Sequence, residues 1–540
     1  MAEATLLDLL ERRAADAPEQ VVAFPDGRLT WPELAGVARR HSGTLWAAGV
    51  RPGDAVGVLV PDGQASVTWW LAAARIGAVT VPVNIRLRAG ELAYQIDNAD
   101  VRLLLTTSAF AERLTGALPG LDTATPGRLA LPGTPALRAV VALDADRDAP
   151  PGFLPLPADG DLEGADAARA ALRPDDMILN LYTSGTTSRP RGCLQDHASL
   201  VAEGEAVAER LGLRPDDRFW TPLPMFHCGG FDAAAATMAT GCTMIHSGPF
   251  DPDAGLRQLE TERCTIAFSA FETIWLPILD HPDFARADLS ALRIVVNVGA
   301  PERMRSMQAR LPHAAQVSCL GMTESSGFCC LGAPDDPPET RATTSGFPLP
   351  HMQAKVVDPV TGEPVPPGTP GEFRFRGASR IARYHRDPEI TAARIDADGW
   401  FASGDLVVAD ADGRLSFRSR LKDMLKVGGE NVAAAEVEGF LSEHPAVGIV
   451  QVVGVPDARY GEVPAAFVQL RADAVTTEED LVAHCLGRIA TFKVPRYVRF
   501  VDEWPMSGTK VQKFRLRETL AAELAEAGIT EAPRLAAPVH

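Results

Sequence analysis

Short apolar segments alternate with helix-forming segments from residue 29 to residue 107, and this alternation restricts the fold more than any other feature. Residues 54–60 and 101–106 are short and apolar, as buried strands are, whereas residues 64–76 are rich in Ala and favour a helix. Short buried strands separated by helices predict a doubly wound parallel sheet in an α/β fold. A second stretch of this kind is predicted, with strands near residues 177–182, 243–246 and 293–298.

The pattern is weaker between these stretches and changes towards the C-terminus. Residues 110–175 show little periodicity, so we expect a meander over the surface. Beyond residue 350, strand-like segments separated by Asp-Gly turns predict a small antiparallel sheet or barrel. We therefore expect an α/β protein whose N-terminal domain, residues 1–419, contains doubly wound parallel sheets plus a small β-barrel. Residues 420–540 are expected to form a separate α+β domain.

Charge and composition exclude several classes of protein. The 540 residues include 70 acidic and 52 basic residues, a formal net charge of -18, whereas nucleic-acid binding needs a basic surface. No run of about 18 apolar residues occurs, so no membrane-spanning helix is expected. The first dozen residues carry acids, unlike a signal peptide, and the eight cysteines form no Cys-x-x-Cys pair. These features predict a cytoplasmic protein with free thiols and without a structural zinc site.

The densest motif is residues 182–192, Tyr-Thr-Ser-Gly-Thr-Thr-Ser-Arg-Pro-Arg-Gly, which follow a predicted strand. Small side chains let backbone N–H groups approach an anion closely, and the hydroxyl groups add further donors. The motif therefore predicts a phosphate-binding loop, with a Ser/Thr-rich surface turn as the structural alternative. The residues expected to bind phosphate are Thr183, Ser184, Gly185, Thr186 and Thr187.

This motif resembles the phosphate-loop signature of the adenylate-forming superfamily, which includes acyl-CoA synthetases, peptide-synthetase adenylation domains and beetle luciferases. The family has Gly where Ser188 stands and usually Lys where Arg191 stands. Further segments match the family in order and spacing, so the resemblance covers nearly the whole chain. The ordered set is far more specific than any one motif.

Three segments resemble the parts of the family that surround the acid and the nucleoside. Residues 222–227, Pro-Leu-Pro-Met-Phe-His, imply that His227 lies over the acyl pocket. Asp405, which ends a Trp-Phe-Ala-Ser-Gly-Asp segment, implies a carboxylate that receives both ribose hydroxyls. The segment that resembles the one lying against adenine consists of Gly299, Ala300 and Pro301.

Residues 320–324, Leu-Gly-Met-Thr-Glu, resemble the family's Tyr-Gly-Met-Thr-Glu. The resemblance implies that Thr323 contacts phosphate and that Glu324 holds Mg²⁺. Leu replaces the customary aromatic residue, so weaker stacking on adenine is expected. The nucleotide-binding residues of this segment are then Leu320, Gly321, Met322 and Thr323.

The start of the C-terminal domain, residues 420–431, resembles the family's hinge segment. The resemblance implies that Arg420 binds ribose and that the domain is a mobile lid with its hinge near Lys422. Gly428 and Gly429 match the backbone that lines the pantetheine tunnel, where absent side chains permit a narrow passage.

The active-site lysine is expected near the end of the chain. Residues 507–514, Ser-Gly-Thr-Lys-Val-Gln-Lys-Phe, resemble the family's Thr-Gly-Lys-Ile-Gln-Lys-Phe, with Lys510 at the catalytic position. Gly and Thr are transposed before this lysine, but its spacing to the following residues is kept.

The resemblance implies an AMP-forming acid–CoA ligase that uses ATP, Mg²⁺ and coenzyme A. A carboxylate attacks the α-phosphate of ATP, and the thiol of CoA then takes the acyl group from the adenylate. The implied catalytic residues are Lys510, Thr183, Glu324 and His227. The implied acyl pocket is mostly apolar and small, which favours a fatty or aromatic acid, and is formed by His227, Cys228, Phe231, Asn297 and residues 325–331.

Several alternatives remain open at the level of sequence. The enzyme could load a carrier protein instead of CoA, or activate an unusual oxyacid such as nitrite and join it to an aryl amine. A non-catalytic nucleotide-binding protein is a further possibility, and taken alone His227 could be an ordinary core histidine. Residues 385–387 spell His-Arg-Asp, but Pro388 follows them, so a kinase is excluded. A monomer or a homodimer is expected.

Overall fold

The computed structural model describes residues 4–145, 148–157, 159–183, 190–421, 424–428, 430–507 and 510–535. None of the helices within these ranges has the length and apolar character that a membrane crossing requires. The α-helices of the described residues are, in chain order, α1 (Leu6–Asp16), α2 (Trp31–Ala47), α3 (Gln64–Arg75), α4 (Ala89–Asn98), α5 (Ala111–Ala117), α6 (Leu162–Ala170), α7 (His197–Leu211), α8 (Cys228–Thr240), α9 (Pro252–Thr261), α10 (Glu272–Leu279), α11 (Pro301–Arg310), α12 (Pro338–Thr343), α13 (Pro388–Arg394), α14 (Ala434–Ser442), α15 (Glu478–Cys485) and α16 (Lys513–Glu526).

The strands are, in chain order, β1 (Val21–Phe24), β2 (Gly27–Thr30), β3 (Ala55–Leu59), β4 (Val79–Pro82), β5 (Val101–Thr106), β6 (Ala139–Ala142), β7 (Leu154–Pro155), β8 (Met177–Thr183), β9 (Arg191–Asp196), β10 (Arg218–Thr221), β11 (Thr243–His246), β12 (Ile266–Phe271), β13 (Ile294–Val298), β14 (Ala315–Val317), β15 (Cys319–Met322), β16 (Gly327–Leu331), β17 (Phe347–Pro348), β18 (Met352–Val357), β19 (Pro370–Gly377), β20 (Arg383–Tyr384), β21 (Phe401–Ala409), β22 (Leu415–Arg420), β23 (Met424–Val427), β24 (Glu430–Ala433), β25 (Val447–Asp457), β26 (Gly461–Leu470), β27 (Tyr497–Phe500), β28 (Met506–Ser507) and β29 (Lys510–Val511).

Two large sheets form the N-terminal part, which confirms the predicted doubly wound α/β architecture. One has the order β14-β13-β12-β10-β11-β1-β2 and is parallel except at β2. The other has the order β20-β9-β8-β4-β3-β5-β6-β7 and is parallel from β8 to β7. Trp70 of α3 meets Phe231 of α8 edge-on at 4.8 Å between ring centroids, so helices from both sheets share one buried layer.

Two parts of the sequence fold differently from the simple expectation. The stretch expected to meander, residues 110–175, supplies β6 and β7, which extend the parallel sheet beside β5. The predicted small β-barrel is an open antiparallel sheet, β18-β19-β21-β22, and its edge strands do not pair with each other within the described residues. Four strands give too little curvature for the edges to meet.

The C-terminal part is an α+β unit, as predicted. Its sheet has the order β24-β23-β26-β25, with β27 added in parallel beside β26, and α14 and α15 pack on an apolar cluster that includes Val437 and Leu481. The proposed domain boundary at residue 419 falls within strand β22, one residue before its end, and it stays a prediction. Lys422, the predicted hinge, lies outside the described residues.

Candidate active site

The predicted phosphate loop connects two paired strands of the eight-stranded sheet. Thr183 ends β8 and pairs with Arg191, which begins β9, so residues 184–189 lie between the ends of a hairpin. Ser184, Gly185, Thr186 and Thr187 belong to this loop and lie outside the described residues. Arg191, at the basic position of the motif, forms an ion pair of 3.1 Å with Asp387.

The segment that contains the predicted metal ligand is fixed to this hairpin. The side-chain amide of Gln195, in β9, donates a hydrogen bond of 3.1 Å to the backbone oxygen of Thr323. Thr323–Ser325 forms a short 3-10 helix directly after β15. The hydroxyl-rich loop and the Thr323–Glu324 turn are therefore attached to the same pair of strands.

Strand β15 approaches its neighbour β16 more closely than a side chain permits. A Cβ atom on Gly321 would lie 2.0 Å from the backbone oxygen of Gly327, and the pairing register shifts between Leu320 and Gly321. Only glycine fits this contact. Leu320 is buried in the apolar core, and Met322 is half-buried beside the turn.

Glu324 is held by groups from a distant part of the chain. The hydroxyl of Tyr384 donates a hydrogen bond of 2.7 Å to Glu324 Oε1, and the backbone N–H of Ile381 donates one of 2.9 Å to the Glu324 backbone oxygen. Burial, and secondarily the Glu324 charge, raises the pKa of Tyr384, so the phenol stays a donor.

The donor set around Glu324 suits Mg²⁺. Within the described part of the chain, no cluster of three or more His, Cys, Asp or Glu side chains could enclose a metal ion. Mg²⁺ keeps several waters and is commonly bound by one or two carboxylates together with substrate phosphates. A single oriented carboxylate such as Glu324 fits that coordination, so Glu324 is the residue that would hold the ion.

Asp405 and Arg420 form the second polar feature of the site. They are direct neighbours on the antiparallel strands β21 and β22, and Arg420 Nε lies 3.5 Å from Asp405 Oδ1. Asp405 is only 5% exposed, and its backbone N–H donates to Ser403 Oγ at 3.0 Å. A carboxylate fixed in this way can accept hydrogen bonds from two neighbouring hydroxyl groups.

The segment predicted to lie against adenine leads from β13 into α11. A Cβ on Gly299 would lie 2.7 Å from Glu272 Oε1, and Pro301 starts the helix. Burial raises the pKa of Glu272 to about 7, although the nearby charge of Arg303 opposes the shift. Ala300 faces the C-terminal domain, because a Cβ on Gly439 of α14 would lie 3.4 Å from the Ala300 Cβ.

His227 immediately precedes α8 and is half-buried, with its ring 4.8 Å from the ring of Phe226. A narrow cavity that is too small to admit a water molecule lies between α7, α8 and the strands β10, β12, β13 and β16. Asn297 is fully buried next to this region, whereas Phe231 packs on Trp70. The cavity is lined by Val207, Leu211, Phe219, Asp232, Ala233, Phe268, Val296 and Phe328.

Besides Arg420, Gly428 and the backbone of Lys510 are the predicted C-terminal site residues that can be placed. Gly428 has a left-handed backbone, φ +59°, and its N–H donates to the Tyr460 backbone oxygen at 2.8 Å. The backbone of Lys510 pairs with Ser507 in the hairpin β28–β29. Gly429, the Lys422 hinge and the Lys510 side chain lie outside the described residues and side chains.

Tyr384, Gln195, Glu272 and Arg303 were missed by the sequence analysis. Tyr384 directly precedes the His-Arg-Asp tripeptide, which is structural: Asp387 binds Arg191, and Arg386 lies 3.1 Å from Asp100. The sequence showed only a Tyr in a short strand-like segment. No neighbouring residue indicated that this Tyr contacts Glu324. These residues act through contacts between distant elements, which motif spacing does not record.

Comparison with known proteins agrees with this geometry. The AMP-binding enzyme family matches residues 10–385, and the C-terminal domain of AMP-binding enzymes matches residues 436–510. A mitochondrial medium-chain acyl-CoA ligase of Danio rerio is 34% identical over 529 residues, which are 94% of this chain and 86% of that protein. A CoA ligase of Mycobacterium tuberculosis for a propanoyl group that carries a methyl-dioxo-octahydro-indenyl ring system is 36% identical over 521 residues, 95% of this chain and 97% of that protein.

A solved structure extends the similarity to the whole fold. An anthranilate CoA ligase in complex with anthranoyl-AMP superposes with a TM-score of 0.83 at 26% identity, covering 97% of this chain and 98% of that one. The family predicted from the motifs is thereby confirmed. The chain belongs to the AMP-binding enzymes, the adenylate-forming ligases of the acyl-CoA synthetase type.

Proposed function

We propose that this enzyme activates a fatty or aromatic carboxylic acid with ATP and transfers the acyl group to coenzyme A. One observation carries the proposal: the Thr323–Glu324 turn is attached through Gln195 to the strand that closes the hydroxyl-rich loop. This attachment supports a site in which phosphate donors and a metal-binding carboxylate are held by the same two strands. The relatives described above are CoA ligases. A carrier protein is therefore not favoured as the acceptor in place of CoA, and nitrite is not favoured as the activated acid.

The first step forms an acyl adenylate. The acid's carboxylate oxygen attacks the α-phosphate of ATP, and pyrophosphate leaves with the electrons of the broken P–O bond. Thr183 and the loop after it donate to phosphate oxygens, and Lys510 adds a compact positive charge where negative charge accumulates. Glu324 would hold Mg²⁺, which neutralises phosphate charge when it is bound.

The nucleoside is held by the small sheet and by the turn before α11. Asp405 accepts hydrogen bonds from the two ribose hydroxyls, and Arg420 lies within reach of the same ribose. Gly299 and Ala300 provide a flat backbone surface for adenine. Leu320 offers adenine an aliphatic side chain in place of the customary aromatic ring, and its burial in the apolar core keeps that contact small.

The second step transfers the acyl group to sulfur. The lid turns at a hinge near Lys422, which withdraws Lys510 and brings Gly428 and Gly429 to the active site. The CoA thiolate then attacks the acyl carbon, and AMP leaves. Two working orientations of one lid separate the two half-reactions.

A screen of carboxylic acids tests the proposal. Pyrophosphate and AMP release are measured for fatty and aryl acids with and without CoA, and acyl-CoA is identified by mass spectrometry. We expect acid-dependent pyrophosphate release and CoA-dependent turnover, both abolished in Lys510→Ala. Absence of any CoA-dependent AMP release across both acid classes would contradict the proposed function.

A further inference from the structure

The segment that leads to His227 lies where the two large sheets meet. Residues 222–227 follow β10, and the parallel strands β11, β12 and β13 end at the same edge of that sheet, where β13 leads into Gly299. Asp62 lies just after β3 of the eight-stranded sheet, and His246 is the last residue of β11. The carboxyl ends of parallel strands are where open α/β sheets bind their ligands.

Two side chains, one from each sheet, hold the backbone of this segment. Asp62 Oδ1 accepts a hydrogen bond of 2.8 Å from the backbone N–H of Met225. His246 Nε2 lies 2.8 Å from the backbone oxygen of Leu223, and its Nδ1 accepts the Gly248 N–H at 3.0 Å. Because its partners are a carbonyl oxygen and an N–H group, His246 is neutral and carries its proton on Nε2.

Both contacts are shielded from water. His246 is fully buried, Asp62 is 9% exposed, and the ring of Phe24 stacks on the imidazole at 5.0 Å between centroids. Burial lowers the pKa of His246, although the charge of Asp62 opposes the shift, so the imidazole stays neutral at physiological pH. A buried backbone group that loses its only partner pays its full desolvation cost, so these two side chains restrict where the segment can lie.

The same backbone determines the place of His227. Its N–H donates to the Pro224 backbone oxygen at 3.0 Å, so the turn that begins between Leu223 and Met225 ends at this histidine. The first turn of α8 packs against the segment, because a Cβ on Gly230 would lie 2.7 Å from that Pro224 oxygen. A displacement of Leu223 or Met225 therefore displaces His227 as well.

We propose that Asp62 and His246 are positioning residues, which fix residues 222–227 so that His227 meets the acid in the orientation that adenylation needs. Both act through the backbone of the segment rather than through the substrate. This inference rests on the proposed function, because it takes His227 as a residue of the acyl site. It goes further by assigning the orientation of that residue to one side chain from each large sheet.

Matched variants separate the two hydrogen bonds of His246. In His246→Gln the amide nitrogen lies near the place of Nε2 and can still donate to Leu223, whereas the contact with Gly248 is lost. In His246→Asn the amide oxygen lies near the place of Nδ1 and still accepts the Gly248 N–H, whereas the contact with Leu223 is lost. Each variant thus leaves one buried backbone group without its partner, and the two should melt at similar temperatures.

Kinetics then distinguish the two variants. Acid-dependent pyrophosphate release is measured with octanoate or benzoate, whichever the wild type activates faster. We expect His246→Asn to lower kcat/KM for the acid about 10- to 100-fold, because a small displacement beside the reacting atoms has an effect of that size. His246→Gln should retain most of the wild-type value, and KM for ATP should be unchanged in both variants.

A second pair of variants tests Asp62 in the same way. Asp62→Asn keeps a carbonyl oxygen for the Met225 N–H, whereas Asp62→Leu removes the acceptor at a similar volume. Asp62→Leu should lower kcat/KM for the acid about 10-fold or more, and Asp62→Asn should restore most of it. This pair decides the question if His246→Asn fails to fold.

The His227→Ala background shows whether the two residues act through His227. This variant should itself lower kcat/KM for the acid, and adding His246→Asn or Asp62→Leu to it should cause almost no further loss. A group that only supports the fold would lower activity by the same factor in both backgrounds.

The outcomes separate this inference from the proposed function. A wild type that forms acyl-CoA, with equal losses in His246→Asn and His246→Gln or equal losses in both backgrounds, overturns the inference and leaves the proposed function intact. A fully active His227→Ala has the same consequence, since no orientation of His227 would then matter. A wild type that activates neither octanoate, benzoate nor any other acid of the screen overturns the proposed function, and the inference with it.

Discussion

The hydrogen bond from Tyr384 to Glu324 shows how a single residue can be oriented from far along the chain. The two residues are 60 positions apart, and the phenol meets the one carboxylate assigned to Mg²⁺. Groups that orient a metal ligand commonly change metal affinity 10- to 100-fold when they are removed. At the residue scale, the site therefore depends on partners that its motifs do not contain.

Tyr384→Phe should raise the Mg²⁺ concentration for half-maximal pyrophosphate release about 10-fold, because Glu324 loses its orienting donor. The aromatic ring and its packing near Phe401, 6.5 Å between centroids, are kept, so the fold should be unaffected. Glu324→Ala should have the larger effect. An unchanged Mg²⁺ titration in both variants would remove Glu324 from the metal site.

Asp405→Asn should lower kcat/KM for ATP about 10- to 100-fold, because charge-assisted hydrogen bonds to the ribose become neutral ones. The wild type should prefer ATP over deoxyATP, and the variant should lose much of that preference. The matched control is Asp412→Asn, an exposed carboxylate that pairs with Arg414 at 3.0 Å. Equal discrimination between the two nucleotides before and after the Asp405 change would contradict the ribose assignment.

At the scale of elements, the sequence predicted what local patterns determine. Strand β5 was predicted with its observed bounds, because short apolar segments alternating with helices specify parallel strands. The β6 strand in the supposed meander was not predicted, since four apolar residues become a strand only when β5 is beside them. The predicted barrel was wrong for a similar reason. Local patterns predicted its strands, but whether the edge strands pair with each other depends on the geometry of the whole sheet.

The candidate site shows the same division between features that local sequence patterns determine and features that depend on distant contacts. The motifs identified Asp405, a fixed and buried carboxylate, and Gly321, whose contact with Gly327 leaves no room for a side chain, because each position requires one residue type at a fixed spacing. Glu272 gains its raised pKa from burial by several elements, and no spacing in the sequence encodes that. Residues whose properties depend on long-range packing could be identified only from the structure.

Gly321→Ala should disrupt the β15–β16 hairpin, because the added Cβ would lie 2.0 Å from the Gly327 backbone oxygen. We expect a loss of stability of about 2 kcal/mol or more and a strong fall in adenylation, since the Thr323–Glu324 turn follows this strand. Gly116→Ala in α5, where a Cβ meets nothing within 4 Å, is the matched control and should not destabilise the protein. Circular dichroism melts and pyrophosphate release measure both effects, and equal behaviour of the two variants would contradict the argument.

At the scale of the whole molecule, the two parts of the chain meet around Arg303. This side chain, 4% exposed as a residue, donates a hydrogen bond of 2.7 Å to the Gly448 backbone oxygen of the C-terminal part. Its Nε lies 3.4 Å from Glu272, and the charge of Glu438, which pairs with Lys513, reaches the same carboxyl. The start of α11 and the C-terminal part of the chain therefore share one charged cluster.

Glu272→Gln should change how the stability of this assembly depends on pH. Burial raises the pKa of Glu272 to about 7, so the folded protein binds a proton there that the unfolded chain, with an ordinary pKa near 4.5, releases earlier. The stability due to this proton is fully present below pH 4.5 and is lost as the pH rises through about 7. As the pH rises from 5 to 8, the free energy of unfolding of the wild type should therefore fall relative to that of Glu272→Gln, by no more than about 3 kcal/mol.

Melting temperatures of both proteins across this pH range measure the effect, with Glu112→Gln, an exposed carboxylate in α5, as the control. The control should follow the wild type, because its carboxyl contacts neither the lid nor a buried charge cluster. The difference between wild type and Glu272→Gln should grow up to about pH 8 and then stay constant, since Glu272 is ionised beyond that. A difference that is independent of pH would mean that Glu272 is not protonated in the folded protein, and that Arg303 holds it as a permanent ion pair.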